Sequence, residues 1–366
     1  MALQATGGVG LDQALAQIAA TAGKRDRDPA FPRDAFSVLA EAGVLVATVP
    51  EPGASRLSIA EEWDLVRRVA AADSSVGRIL DGHLNAVDRI TVAAHPEVRE
   101  EQLNRVSAEH RLLGVWGADP GPGEGEPARL SGPVTEPGLS LTGVKVFCSG
   151  AGGVDAALVM VRQHDDGPPS LVLVDIDESV AIDRRWFAAS GLRSSESHRV
   201  VFRDTPVRAV LGEPGELAKD PWFSQDAMRT ASSWAGMADA AAAAALGELS
   251  ARRATDPVAQ LAAGRIRAAE QTIDNWLEAG ARAAQAGAEL RELSVSMRVE
   301  ISRAALTILE EAARACGSHP FATGAALDRV SRDLRLFLLQ HRLDPLTIKS
   351  GKSLLVPSAG SENGRR

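Results

Sequence analysis

Leu139-Ser140-Leu141-Thr142-Gly143-Val144-Lys145-Val146-Phe147-Cys148-Ser149-Gly150 decides how this 366-residue chain is read. Leu139 and Leu141, then Val144, Val146 and Cys148, form two alternating apolar runs separated by Gly143, the pattern of a half-buried strand. The strand runs into Ser149-Gly150-Ala151-Gly152-Gly153, a loop whose backbone can come close to a ligand. A second strand, Ala156–Val161, follows. An aromatic ring, a hydroxyl and clustered glycines at a strand end suit a flat cofactor, which they could wall and hydrogen-bond. They suit a plain hairpin as well, and the stretch alone leaves both open.

Working outward, residues 112 to 216 keep the alternating period. Strands are expected at Leu112–Trp116, Leu139–Cys148, Ala156–Arg162, Ser170–Ile176 and Arg199–Phe202. Linkers such as Asp119-Pro120-Gly121-Pro122-Gly123 carry turn residues. No long helix interrupts the strands, so an antiparallel barrel or sandwich is expected rather than a doubly wound parallel sheet. No Gly-x-Gly-x-x-Gly motif stands at a strand-to-helix turn, and no phosphate-cradling lysine loop is present.

Both flanks are helical. Leu11, Leu15 and Ile18 make one apolar stripe, and Ser58-Ile59-Ala60-Glu61 is a capping box ahead of Leu65, Val66 and Val69. The next helix, from about Ser75, carries Ile79, Leu80, Leu84 and Val87 on one side. His83 falls on that same side, where a histidine is either a satisfied core residue or a catalyst. After Pro221 come four long helices, about Phe223–Ala254, Pro257–Gln285, Arg291–Cys316 and Ala326–His341, the last stopped by Pro345. Short connections between long helices indicate a bundle. The architecture is thus α+β: an N-terminal helical domain (1–112), a central antiparallel β domain (113–216), a C-terminal four-helix bundle (217–355) and a disordered polar tail (356–366).

Composition narrows the function classes. Hydrophobic residues make up 45% and charged residues 24%, as in an ordinary globular protein. The net charge of −8 and the lack of a basic stripe argue against nucleic acid or an anionic membrane as partner. Cys148 and Cys316, the two cysteines, lack ligand spacing, so no metal site is expected and a reducing cytoplasm fits. No secretory signal or membrane span is recognised. Tyrosine is absent, so no mechanism can use a phenol.

Helices, then an antiparallel β unit, then a four-helix bundle resemble the acyl-CoA dehydrogenase superfamily of flavoproteins. Local matches between about residues 74 and 345 carry the resemblance. Gly143-Val144-Lys145-Val146-Phe147-Cys148-Ser149-Gly150 is similar to the strand that lines the isoalloxazine, which implies that Phe147 packs on the flavin and Ser149 bonds its reactive edge. Gly191-Leu192-Arg193-Ser194-Ser195-Glu196-Ser197, Val201-Phe202-Arg203-Asp204 and Arg332-Asp333-Leu334-Arg335 resemble three further family segments. Trp116-Gly117-Ala118-Asp119-Pro120 stands where the family places flavin contacts, so Trp116 and Ala118 join the cofactor candidates. Ala118 replaces a frequent hydroxyl and leaves only backbone groups to bind. Thr135-Glu136-Pro137-Gly138 matches that family motif in letters but lies too near Gly143, and is expected to be a turn. Arg253 resembles the arginine that meets the cofactor diphosphate, without the usual Phe-Gly after it. Gly317 partly resembles a turn that contacts the nucleotide of a neighbouring subunit.

The family's dehydrogenases commonly carry a glutamate eight residues beyond the Asp of Arg-Asp; here that position is His341. The superfamily's monooxygenase branch, which includes proteins resembling dibenzothiophene monooxygenase, tends to carry histidines at that place and on the early helix, where this chain has His83. A carboxylate suits abstraction of an α-proton, whereas a neutral imidazole suits oxygen chemistry on a flavin. The resemblance therefore implies a flavin-dependent oxidoreductase with FAD, or alternatively FMN. It would form a homotetramer or homodimer and oxidise a small-molecule substrate, with a flavin reductase as possible partner and His83 and His341 as catalytic candidates. Monooxygenation is favoured over acyl-thioester dehydrogenation. A flavin-free scaffold is the third reading.

Overall fold

The computed structural model describes residues 10–50, 57–322 and 325–355; the tail expected over 356–366 lies outside them. Five helices come first: α1 (Leu11–Arg27), α2 (Arg33–Glu41), α3 (Ile59–Ala72), α4 (Ser74–Ala93) and α5 (Pro96–Glu109). The capping box forms as the sequence requires, with Ser58 Oγ accepting from the Glu61 amide and the Glu61 carboxylate accepting from the Ser58 amide at 2.8 Å. Asp73 starts α4 by accepting from the Ser75 and Val76 amides at 2.9 and 3.1 Å. Most of α4 is buried, because it lies between the sheets and the C-terminal helices.

Seven strands follow: β1 (Leu113–Trp116), β2 (Arg129–Leu130), β3 (Ser140–Cys148), β4 (Ala156–Arg162), β5 (Pro169–Asp175), β6 (Val180–Asp183) and β7 (His198–Leu211). Their order is β1-β4-β5-β7-β3-β2, with β6 also on β7. β7 serves two sheets. Its first part pairs with β3 and β6, and its last part pairs with β5. The change of sheet comes between Pro206, still opposite Ser140 of β3, and Val207, opposite Val174 of β5; Asp204, in the left-handed region at φ 50°, kinks the strand just before it. The expectation of a purely antiparallel β unit needs one correction. β1 and β4 pair in parallel, since the chain passes through β2 and β3 before β4 returns to the same direction. Gly143 interrupts the alternation because it touches a neighbouring segment: at φ 124°, a Cβ there would lie 2.6 Å from the Pro127 carbonyl oxygen.

The C-terminal part is α6 (Trp222–Arg253), α7 (Pro257–Gln285), α8 (Arg291–Cys316), α9 (Ala326–Leu338) and α10 (Leu343–Leu355). Among the described residues this makes five helices, one more than expected. Pro345 does not stop the chain, because it sits in the first turn of α10, where no intrahelical amide bond is lost. Helix α6 buries Ala231, Ala235, Ala238, Ala241, Ala242 and Ala245, small side chains that let its neighbours come close. At Gly236 a Cβ would meet the Arg67 carbonyl oxygen at 2.0 Å, so α3 and α6 touch through backbone. Arg67 locks that contact with a fork onto Asp239 at 2.6 and 2.8 Å and a further bond to Asp274 at 2.7 Å. No helix among the described residues is long and apolar enough to cross a membrane.

Candidate functional site

The end of β3 is built by a bulge. Lys145 pairs with Val200 and Cys148 with His198, so three steps on β3 answer two on β7. The extra residue is accommodated at Phe147, held in the left-handed region at φ 52°, a strained conformation for a bulky side chain. The bulge turns the ring out of the sheet. It remains 55% exposed while Val146 and Cys148 on either side are buried. Trp186, from the loop after β6, meets it edge-on at 4.8 Å and 80°. Beside the ring, Ser149 Oγ is 2.9 Å from Ser197 Oγ, which is 2.7 Å from Ser195 Oγ, and the Gly150 amide donates to the Ser195 carbonyl at 2.7 Å. A flat apolar wall next to a row of hydroxyls fits an isoalloxazine ring.

Four cofactor candidates from the sequence converge here, though not all with free side chains. The Val146 amide donates to the Ala118 carbonyl at 3.1 Å, and the buried Lys145 ammonium holds Asp119 at 2.6 Å. Burial pushes the Lys145 pKa down, against the raising effect of Asp119. Trp116 is a correction. Its ring is 1% exposed and its Nε1 donates to the Ser149 carbonyl at 3.0 Å, so it props the strand end from within and presents no face to a ligand. Ala118 is exposed, with its carbonyl taken by Val146. Trp186 escaped sequence reading because it lies in an irregular loop with no period.

Two of the three further family-like segments, 191–197 and 332–335, are tied to each other. The Leu192 amide donates to Asp333 Oδ1 at 2.6 Å, and Arg332 bridges Asp26 at 2.7 Å and Asp328 at 3.0 Å. Arg332-Asp333 therefore anchors the hydroxyl loop to α9. Burial raises the Asp333 pKa to about 7, with Asp73 and Asp26 adding to it and the bond from the Leu192 amide acting against it. In the same loop burial would raise the Glu196 carboxyl, but His198 and Arg184 outweigh it and the net direction is down.

His83 does not face this site, contrary to expectation. It is fully buried on α4 with both ring nitrogens used by backbone: the Leu113 amide donates to Nδ1 at 3.1 Å, and Nε2 lies 2.8 Å from the Leu45 carbonyl. The first bond requires an unprotonated Nδ1, so Nε2 carries the proton and donates to Leu45. Burial lowers its pKa to about 4, outweighing the raising effects of Leu45 and Asp155. Helix periodicity put His83 correctly on an apolar face; only the folded chain shows that face meeting β1 and the 44–46 turn.

His341 lies differently. Helix α9 ends at Leu338, which places His341 in the turn before α10 and not on the helix itself. Arg298 Nη1 lies 3.3 Å from His341 Nδ1. Since a guanidinium only donates, Nδ1 accepts and the imidazole proton sits on Nε2. Trp234 packs edge-on to the ring at 5.1 Å. Burial, then the charges of Arg298 and Arg78, lower the His341 pKa to about 3. Successive residues of α4 connect this cluster with the strand end. Ile79 Cγ2 is 3.2 Å from where a Cβ on Gly150 would be, and the Arg78 guanidinium lies 5.3 Å from the Phe337 ring centre.

Arg253 and Gly317 form a separate locus. Arg253 Nη1 donates to the Ala315 carbonyl at 3.1 Å, next to Gly317. Arg253 is nineteen residues beyond Trp234 on one helix, roughly 28 Å along its axis. Within one chain the pair is thus remote from the His341 cluster. A cleft of about 550 Å³ also lies away from Phe147, among Ser58, Glu62, Asp88, Trp222, Arg229 and Gln285. Asp88 is nine residues beyond Ile79, roughly 14 Å along α4. None of Phe147, Ser149, His83, His341, Arg253 and Gly317 lines that cleft. Among the described residues no group of His, Cys, Asp and Glu could hold a metal ion.

Residues 12–110 match the family model for the acyl-CoA dehydrogenase N-terminal domain. A dibenzothiophene monooxygenase of Rhodococcus erythropolis is 29% identical over 203 residues, covering 53% of this chain and 48% of that protein. The mitochondrial isobutyryl-CoA dehydrogenase of Dictyostelium discoideum is 28% identical over 214 residues, 56% of this chain and 51% of its own length. The chain spans about half the length of these curated relatives, or less. Among solved structures, FMN-bound TdsC from Paenibacillus sp. A11-2 superposes with a TM-score of 0.83 at 19% identity, over 93% of this chain and 95% of that one. That likeness shows a shared fold.

Proposed function

We propose that this chain, a member of the acyl-CoA dehydrogenase superfamily with the acyl-CoA dehydrogenase fold, is a flavin-dependent monooxygenase of a small organic substrate. The observation that carries the reading is the state of His341. With Nδ1 bonded to Arg298 and a pKa lowered to about 3, it is a poor base for an α-proton. No described carboxylate is bonded to it. It is instead a fixed neutral donor, holding a proton on Nε2 with no described partner, and such a donor suits oxygen chemistry. The relatives named for dibenzothiophene monooxygenation support the same direction.

Phe147 would support one face of the isoalloxazine, and the hydroxyls of Ser149, Ser195 and Ser197 would bond its edge. A reduced flavin supplies two electrons, so that one atom of O2 enters the substrate and the other leaves as water. The residues around it exclude solvent, fix the ring and keep a proton at His341 Nε2. The cofactor is FMN or FAD; TdsC, of the same fold, holds FMN. Arg253 and Gly317 would reach the cofactor of a neighbouring subunit in a homodimer or homotetramer, and a flavin reductase in the cytoplasm would supply the reduced flavin.

The test is isotopic. Protein loaded with reduced flavin is exposed to 18O2 with dibenzothiophene or indole, the compounds named with its relative and its structural neighbour. Incorporation of 18O into product, lost in His341→Ala, supports the proposal. Bleaching of the oxidised flavin by acyl thioesters, with no 18O uptake, assigns a dehydrogenase instead.

A further inference from the structure

A buried guanidinium requires a negative partner, because an unpaired charge in the interior costs several kcal/mol. Arg229 and Arg89 meet that requirement with Asp81, Glu62, Asp226 and Asp88. Arg298 does not. It is 3% exposed, donates from Nε to the Ser294 carbonyl at 3.0 Å and from Nη1 to neutral His341 at 3.3 Å, and no described carboxylate comes within ion-pair distance. Burial lowers its pKa to about 10, with no acidic neighbour acting against it. Arg78, also facing His341, shares its one carboxylate, Asp81 at 3.3 Å, with Arg229. Two cations thus converge on a neutral imidazole with half an anion between them. The surroundings are apolar and aromatic, with Phe337 under Arg78 and Trp234 against His341. Trp234 Nε1 is itself buried without a partner.

We propose that Arg298, assisted by Arg78, is a subsite for an oxyanion carried by the organic substrate, which would have an apolar or aromatic body ending in a carboxylate or sulfo group. The placement beside His341 rests on the monooxygenase reading; the subsite itself does not. A planar fork matches two coplanar oxygens, and the charge left unbalanced in the free protein is neutralised when the ligand enters. A neutral aromatic of the same shape has nothing to offer the fork and leaves Arg298 buried without a counter-charge, which sets specificity.

The experiment uses the flavin-free full chain, so it is independent of any turnover. Benzoate, benzenesulfonate and the uncharged benzamide are titrated by calorimetry, with thermal unfolding alongside. Wild type should bind at least one of the two anions at least about tenfold more tightly than benzamide. Arg298→Met should abolish that preference, leave benzamide unchanged and unfold at a temperature no lower than wild type, since a buried unpaired charge has gone. Arg298→Lys keeps the charge without the fork and should lose a few-fold only; it decides the matter should the Met variant fail to fold. Equal affinity for anions and benzamide, no anion binding at all, or unchanged anion binding in both variants overturns the subsite. Should 18O incorporation fail while the anion preference depends on Arg298, the subsite stands and the monooxygenase reading falls.

Discussion

Replacing His83 by Ala separates a structural histidine from a catalytic one. The substitution leaves the Leu45 carbonyl and the Leu113 amide without partners in a fully buried place. At roughly 1–3 kcal/mol for each orphaned group, with a cavity added, the loss should be about 3–5 kcal/mol. Its pH dependence has a definite sign. The folded pKa, about 4, lies below the ordinary 6.5, so between these values the unfolded chain takes a proton that the native chain refuses. The stability contributed by neutral His83 is therefore fully present above pH 6.5 and is lost as pH falls towards 4, a change of roughly 3 kcal/mol. His341 contributes with the same sign, so the informative quantity is the difference between wild type and variant. Urea unfolding at pH 8 and at pH 4.5 should show a gap that narrows in acid. His83→Asn, whose side-chain oxygen can take the place of Nδ1 and accept from Leu113, should recover part of the loss. An unchanged urea midpoint in His83→Ala, together with lost oxidation, would make His83 a reacting group and refute the reasoning.

Asp333 carries the opposite sign. Its folded pKa, about 7, exceeds the ordinary 3.8, so the native chain holds a proton that the unfolded chain releases, and stability falls as pH rises from about 4 to 7, by at most roughly 4 kcal/mol. Asp333→Asn keeps an acceptor for the Leu192 amide and should raise Tm at pH 8 by a few degrees while leaving pH 4 unchanged; a lower Tm at pH 8 contradicts this. Phe147→Ala should weaken flavin binding about tenfold, measured by fluorescence quenching with FMN and with FAD, and leave circular dichroism unaltered because the ring is half exposed. Unchanged affinity would remove Phe147 from the cofactor wall. His341→Ala should lower coupled oxygenation at least tenfold, with flavin affinity unchanged and peroxide release raised; full coupling would exclude it. Light scattering at micromolar concentration should give two or four chains, because the role proposed for Arg253 and Gly317 needs the cofactor of a neighbouring subunit; a monomer would leave them without that role.

The sequence by itself determined what depends on local spacing. The alternation about Gly143, the Ser58 capping box and the helical period of the flanks are short-range properties, and so was the grouping of Phe147 and Ser149 at one strand end. The tertiary structure decided everything that depends on which surfaces meet. His83 and His341 are alike in sequence, each a histidine near an apolar helix face. One meets two backbone groups of β1 and the 44–46 turn, which use both its nitrogens. The other meets a guanidinium from α8, forty-three residues away, which leaves Nε2 free among the described residues. Trp116 was expected at the cofactor and lies beneath the strand end, because its ring packs into the core beside Phe202, at 6.3 Å between ring centres, and its Nε1 is bonded to the Ser149 carbonyl. Arg298 drew no notice, since one arginine on a helix is ordinary until its neighbours are known. Whether a charge has a counter-charge is set by packing between elements far apart in the chain, and no local pattern encodes it.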